Sequence, residues 1–201
     1  MIPNVSSSAE KIEIVPKKNL LFIGSMHEEK GAMVLVKAMA LLKKNPPAIN
    51  ASIVFAHKNE EYFEKIKKEI EKNNLSNTID FFENIPNNQL RQLIIPLHEI
   101  VVLPSLWPEP CSTVITEAMH SGKAIIASNV GGNKDLIDDG VNGLLFESGN
   151  EKELAEKIQE ILHDKNLKNS IEHNSINSLK ENFNWESIAR KTINVYRTLL
   201  M

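Results

Sequence analysis

Cysteine is almost absent from this chain: Cys111 is the only one in 201 residues. A lone thiol excludes an internal disulfide framework and any multi-cysteine zinc or iron–sulfur site, and a reducing cytoplasm is the simplest compartment for it. Long apolar runs are missing as well. No stretch reaches the roughly 18 apolar residues that a membrane helix needs, and Met1 to Lys18 carries Ser6-Ser7-Ser8 and charges where a signal peptide would be apolar. Neither a membrane span nor a secretory leader is expected. Charge has no strong sign: 23 Lys+Arg against 26 Asp+Glu give a net charge of −3, which argues against nucleic acid or an anionic membrane as the main partner. The six histidines show no His-x2-His or His-x3-His spacing, so no metal site is expected.

What is present is a globular composition, 42% hydrophobic and 24% charged, able to bury a core. Short apolar runs alternate with helix-period segments, which predicts a doubly wound α/β domain with a parallel sheet of about six strands covered by helices on both faces. The expected strands are Leu20–Ile23, Ser52–Phe55, Ile79–Phe82, Ile100–Leu103, Ala124–Ala127 and Gly143–Phe146. Between them, helices are expected from near Gly31 to a stop at Pro46-Pro47, over Glu60–Lys72, over Asn88–Leu97 with a break near Pro96, over Thr113–His120 and over Lys134–Asp138. From Glu151 onward only helices follow, about Glu151–His163, Lys165–Glu181 and Asn184–Leu200, with Asn184 as a candidate N-cap. Ligands of such sheets bind beyond the carboxyl ends of the strands, so the chemistry should lie in the loops after Ile23, Phe55, Phe82, Leu103 and Ser128.

Three of those loops carry candidate residues. After the strand ending at Leu103 come Glu109 and Glu117, eight positions apart, one in the loop and one about a turn into the next helix. Between them lies a helix start, where unpaired N–H groups and the dipole favour an anion. Carboxylates accept hydrogen bonds from sugar hydroxyls, and a helix start can hold a diphosphate with donors alone. A nucleotide sugar has both parts. The plain alternative is that Glu109 caps the helix and Glu117 is a surface residue. In the second loop, Gly24 to Gly31, Lys30 precedes a helix where its ammonium could meet a phosphate or be merely solvated. Neither a Walker loop nor a dinucleotide fingerprint is present. In the third, Gly131-Gly132 allows backbone to approach a ligand closely, or makes an ordinary turn. Cys111, with no paired histidine indicated, reads as a small loop residue rather than a nucleophile, and Trp107 as packing under the loop rather than stacking on a sugar.

Taken in order, Gly24…Glu29-Lys30-Gly31, Pro104-Ser105…Glu109-Pro110…Glu117-Ala118-Met119 and Gly122-Lys123-Ala124…Gly131-Gly132…Asp139-Gly140 resemble the carboxyl-terminal, donor-binding domain of retaining GT-B glycosyltransferases of family 4 (group 1). The resemblance implies a nucleotide-sugar-binding Rossmann-like domain over residues 19–182, a linker over 1–18 and a C-terminal crossover helix over 183–201. It implies that Glu109 contacts donor-sugar hydroxyls, Glu117 the ribose and Lys30 the diphosphate. Gly24, Ser25, Cys111, Ser112, Thr113, Val114, Gly131 and Gly132 would complete the donor site, with phosphate oxygens at the backbone of Ser112 to Val114.

No metal or other cofactor is implied, so Lys30 and the helix dipole would stabilise the leaving nucleoside diphosphate. The expected partner is an acceptor-binding N-terminal domain in the same or another chain, and the expected setting is cytoplasmic, with any inner-membrane contact made through that domain. The alternatives are a stand-alone nucleotide-sugar-binding subunit and a module without donor binding. Ser25 stands where the family usually has Arg, and Lys58 or Lys134 are the candidate substitutes. Ser112 replaces a common Gly, Asp135 a common Glu and His57 a common Gly.

Overall fold

A computed structural model of the chain describes residues 5–6, 18–43, 48–182 and 185–200. Its sheet is parallel throughout, in the order β1-β4-β3-β2-β5-β6-β7. The six strands expected from the sequence are β2 (Lys18–Ile23), β3 (Ala51–Phe55), β4 (Ile79–Glu83), β5 (His98–Leu103), β6 (Ala124–Ser128) and β7 (Leu144–Phe146). β1 (Val5–Ser6) is an addition within the stretch read as a linker, and it pairs with β4 through Val5↔Phe81 and Ser6↔Phe82. The stop at Pro46-Pro47, the cap at Asn184, and residues 1–4 and 7–17 of the linker lie outside the described residues.

The central strands β2, β3, β5 and β6 are buried on both sides, so alternate residues serve opposite layers. Leu20 and Phe22 pack with α1 (Ala32–Leu42), α2 (Glu60–Lys72) and α6 (Glu151–His163), whereas Leu21 belongs to a second core with Ile94, Ile95, Ile115 and Met119. α1 buries Val34, Leu35, Ala38, Met39 and Leu42, the three-and-four spacing seen in the sequence. On α2 the Asn59 side chain caps the helix by accepting from Tyr62 N–H at 2.9 Å, and Phe63 meets Phe55 and Phe81 in an aromatic cluster with centroids 5.1 to 6.2 Å apart.

The segment read as one helix before β5 is three short pieces: α3 (Asn87–Gln89), a π turn at Leu90–Ile94 and a 3-10 turn at Ile95–Leu97. Pro96 has no N–H to give the Gln92 carbonyl, which breaks the regular ladder there. α4 (Thr113–His120), α5 (Asn133–Leu136), α7 (Lys165–Asn182) and α8 (Trp185–Leu199) complete the order. α8 buries none of its residues and leaves Trp185, Val195, Tyr196, Leu199 and the following Leu200 exposed.

The strand order reverses between β2 and β5: β3 and β4 extend to one side, β6 and β7 to the other. A crevice at the carboxyl ends of two strands that part in this way is where doubly wound sheets hold their ligands. The loops that meet there are Gly24–Gly31 and Pro104–Ser112.

Candidate functional site

A cavity of about 290 Å3 opens at this switch point, bounded by Gly24, Ser25 and Lys30 from one loop and by Glu109, Cys111, Ser112, Thr113 and Val114 from the other. Eight of the residues singled out in the sequence thus share one site. Lys30 Nζ donates to Glu109 Oε1 at 2.8 Å, and Ser105 Oγ donates to the same oxygen at 2.8 Å. Oε2 is engaged by neither. The carboxylate is partly buried, which strengthens its pairing relative to an exposed ion pair.

Ser112 is the N-cap of α4, and its hydroxyl takes no first-turn N–H. Glu109 does not cap the helix either, since its described contacts are Lys30 and Ser105, so the plain reading of that residue is corrected. The start of α4 therefore presents backbone donors to the cavity beside a single lysine, an arrangement that suits an anion.

The loop carrying Glu109 is held on both flanks by glycines. A Cβ at Gly31, whose φ is +71°, would lie 1.8 Å from the Pro104 carbonyl oxygen. On the other flank, a Cβ at Gly132 would lie 2.1 Å from the Pro110 oxygen, and Gly132 N–H donates to the Glu109 carbonyl at 2.7 Å. Only glycine permits that approach. Gly131 and Gly132 face this backbone and are not among the residues that bound the cavity. Glu29 closes the loop further, its carbonyl accepting from Leu106 N–H at 2.8 Å. Trp107 does not pack beneath the loop: it is 63% exposed, because the backbone bonds and the glycine contacts fix the loop with that side chain outside.

Glu117 stands one helical turn beyond Val114, on the same face of α4. It does not border the cavity and it is not a free surface residue. Its side chain is 17% exposed and accepts from Arg91 Nη2 at 2.8 Å. Nothing in the local sequence signals that pairing, which spans 26 residues. A second, more apolar cavity of about 170 Å3 adjoins the first through Gly24 and Ser25 and is bounded by Val54, His57, Ile85, Asn87 and Leu90.

Of the cations proposed to replace an arginine at Ser25, Lys58 is turned away: it pairs with Glu60 at 3.4 Å and Glu83 at 3.5 Å and lies over the Phe63 ring. Lys134 is exposed on α5 and does not border the cavity. Among the described residues no cluster of three or more His, Cys, Asp or Glu is placed to hold a metal ion. No helix of the described residues is long and apolar enough to cross a membrane.

Residues 6–178 match the family described as glycosyl transferases group 1. The chain belongs to that family. An uncharacterized glycosyltransferase of Methanocaldococcus jannaschii, MJ1607, is 28% identical over 183 residues, covering 90% of this chain and 45% of the relative. Among solved structures, the Anabaena protein Alr3699/HepE in complex with UDP superposes with a TM-score of 0.81 at 24% identity, over 94% of this chain and 51% of that one. The C-terminal domain of the group 1 protein LpcC from Francisella tularensis superposes with a TM-score of 0.77 at 22% identity, over 86% of this chain and 90% of that one. The group 1 glycosyltransferase chain described here spans about half the length of the curated relatives it matches. Its sheet and helix layers are those of a GT-B half.

Proposed function

We propose that this group 1 glycosyltransferase domain binds a nucleoside diphosphate sugar and supports retaining transfer of a hexose, as a member of family 4, to a glycan or lipid-linked acceptor. The observation that carries the reading is the switch-point cavity in which Lys30, Glu109 and the uncapped start of α4 converge. Lys30 and the first-turn amides of α4 hold the diphosphate, Glu109 the donor-sugar hydroxyls and Glu117 the ribose. As the bond between the sugar's anomeric carbon and the phosphate oxygen breaks, its electron pair passes to the nucleoside diphosphate, where Lys30 and the α4 dipole stabilise the charge, while the acceptor hydroxyl oxygen bonds to the anomeric carbon and gives its proton to the departing phosphate oxygen. No metal or other cofactor enters this scheme.

The acceptor is held by an N-terminal domain, in the same or another chain, and without it the chain binds donor but transfers little. The exposed apolar residues of α8 support such a partner. A nucleotide-sugar-binding subunit completed by a separate partner chain is the second reading, and the exposed apolar residues of α8 serve it equally. The setting proposed is cytoplasmic, with contact to the inner membrane through the acceptor domain.

Calorimetric titration of the chain with UDP, GDP and ADP, with and without magnesium, tests the reading. One of them should bind without metal, and Glu117→Ala should weaken it by about 1.5–3 kcal/mol, the value of hydrogen bonds to a charged group. Equal affinity of variant and wild type would remove Glu117 from the ribose.

A further inference from the structure

Glu117 is fixed by a side chain from outside every motif that the sequence presents. Arg91 Nε and Nη2 lie 3.2 and 2.8 Å from Glu117, and both donate to Oε1. Oε2 is left by Arg91 as a free acceptor position. Arg91 stands on the π turn Leu90–Ile94, directly after Leu90, which borders the 170 Å3 cavity. Single π turns are uncommon and concentrate at functional sites.

The pair is asymmetric: the guanidinium side chain is 57% exposed and the carboxylate 17%. With its guanidinium this open to water, the pair adds only modestly to folding. Its effect is on the carboxylate, whose freely rotating side chain is replaced by one held at a single oxygen by a rigid fork.

We propose that Arg91 is a positioning residue for nucleotide recognition, holding Glu117 through Oε1 so that Oε2 is set to accept from a ribose hydroxyl. The inference rests on the ribose role given to Glu117 above. Arg91 acts only through Glu117, and ordering the carboxylate at folding removes an ordering cost from binding.

Calorimetry with UDP, ADP and GDP, each beside its 2′,3′-dideoxy counterpart, tests this on the full chain. For the nucleotide that wild type binds, Arg91→Ala should weaken affinity about fivefold, the fold-change that corresponds to the coupling of one exposed ion pair. The loss should vanish against the dideoxy nucleotide and in a Glu117→Gln background, while the melting temperature stays that of wild type. Unchanged affinity in Arg91→Ala overturns the proposal. An equal loss against the dideoxy nucleotide, or one that persists in Glu117→Gln, would make Arg91 a direct ligand contact or a structural residue and overturns it too. Failure of the wild type to bind any of the three overturns the reading of the site itself. Wild-type binding insensitive to Glu117→Gln overturns the ribose role and the inference with it.

Discussion

Lys30 Nζ stands 2.8 Å from Glu109 Oε1, so the cation assigned to the diphosphate and the carboxylate assigned to the sugar are each other's partner. A diphosphate that takes Lys30 therefore exchanges one anion for another. Glu109→Gln should bind the bare nucleoside diphosphate at least as tightly as wild type and lose only the increment that the sugar adds. Lys30→Ala should weaken both by about tenfold or more, the scale of a charge-assisted hydrogen bond. Titration of each variant with nucleotide and nucleotide sugar separates the two roles; a Glu109→Gln that no longer binds the bare nucleotide would be a structural defect.

That pair was approachable from the sequence, because strand, loop and helix follow one another closely and the switch point brings two such loops together. The limits of α2 and the burial of the central strands on both faces were legible for a similar reason: helix period and short continuous apolar runs are local signals. Arg91 was not, since it lies inside a segment read as an ordinary helix rather than in one of the three loops that carried candidate residues, and a π turn has no period to read. Nor was the work of Gly131-Gly132, since a glycine pair announces close approach without naming what approaches. Val5–Ser6 is too short to show alternation, and its pairing with Phe81 and Phe82 depends on the edge that β4 leaves open.

Gly132→Ala would set a Cβ 2.1 Å from the Pro110 carbonyl oxygen, a backbone atom that cannot swing aside. The strand-to-helix loop has to shift as a unit, at a cost of about 1–3 kcal/mol. Urea unfolding followed by circular dichroism should show that loss, accompanied by weaker binding of the nucleotide sugar. A variant with wild-type stability would mean that the loop yields freely.

His98 is fully buried at the start of β5, with Nδ1 2.7 Å from the Ile94 carbonyl oxygen and Nε2 2.8 Å from Ser52 Oγ. The carbonyl can only accept, so the proton sits on Nδ1 and Nε2 accepts from the serine. Burial away from water, with a smaller repulsion from Lys18 and Lys123, pushes its pKa down to about 4 against an opposing hydrogen bond to Ile94. The unfolded chain then binds a proton that the folded chain refuses between about pH 6.5 and 4. The stability tied to the neutral ring is complete above pH 6.5 and falls with pH through that window, by about 3 kcal/mol in all. Unfolding at pH 7.5 and 5 should show part of that loss in wild type and a smaller one in His98→Asn. An identical loss in the variant would assign it to other groups.

The chain has two tryptophans, and both reach solvent: Trp107 is 63% exposed on the loop that carries Glu109 and Trp185 is 86% exposed on α8. Their indoles already emit from water in the folded state, so intrinsic fluorescence changes colour little on unfolding and is a poor gauge of the fold. The same exposure makes them reporters of association. A ligand settling against the Glu109 loop alters one, a partner covering α8 shifts the other to the blue, and single Trp→Phe replacements divide the signal between the two events.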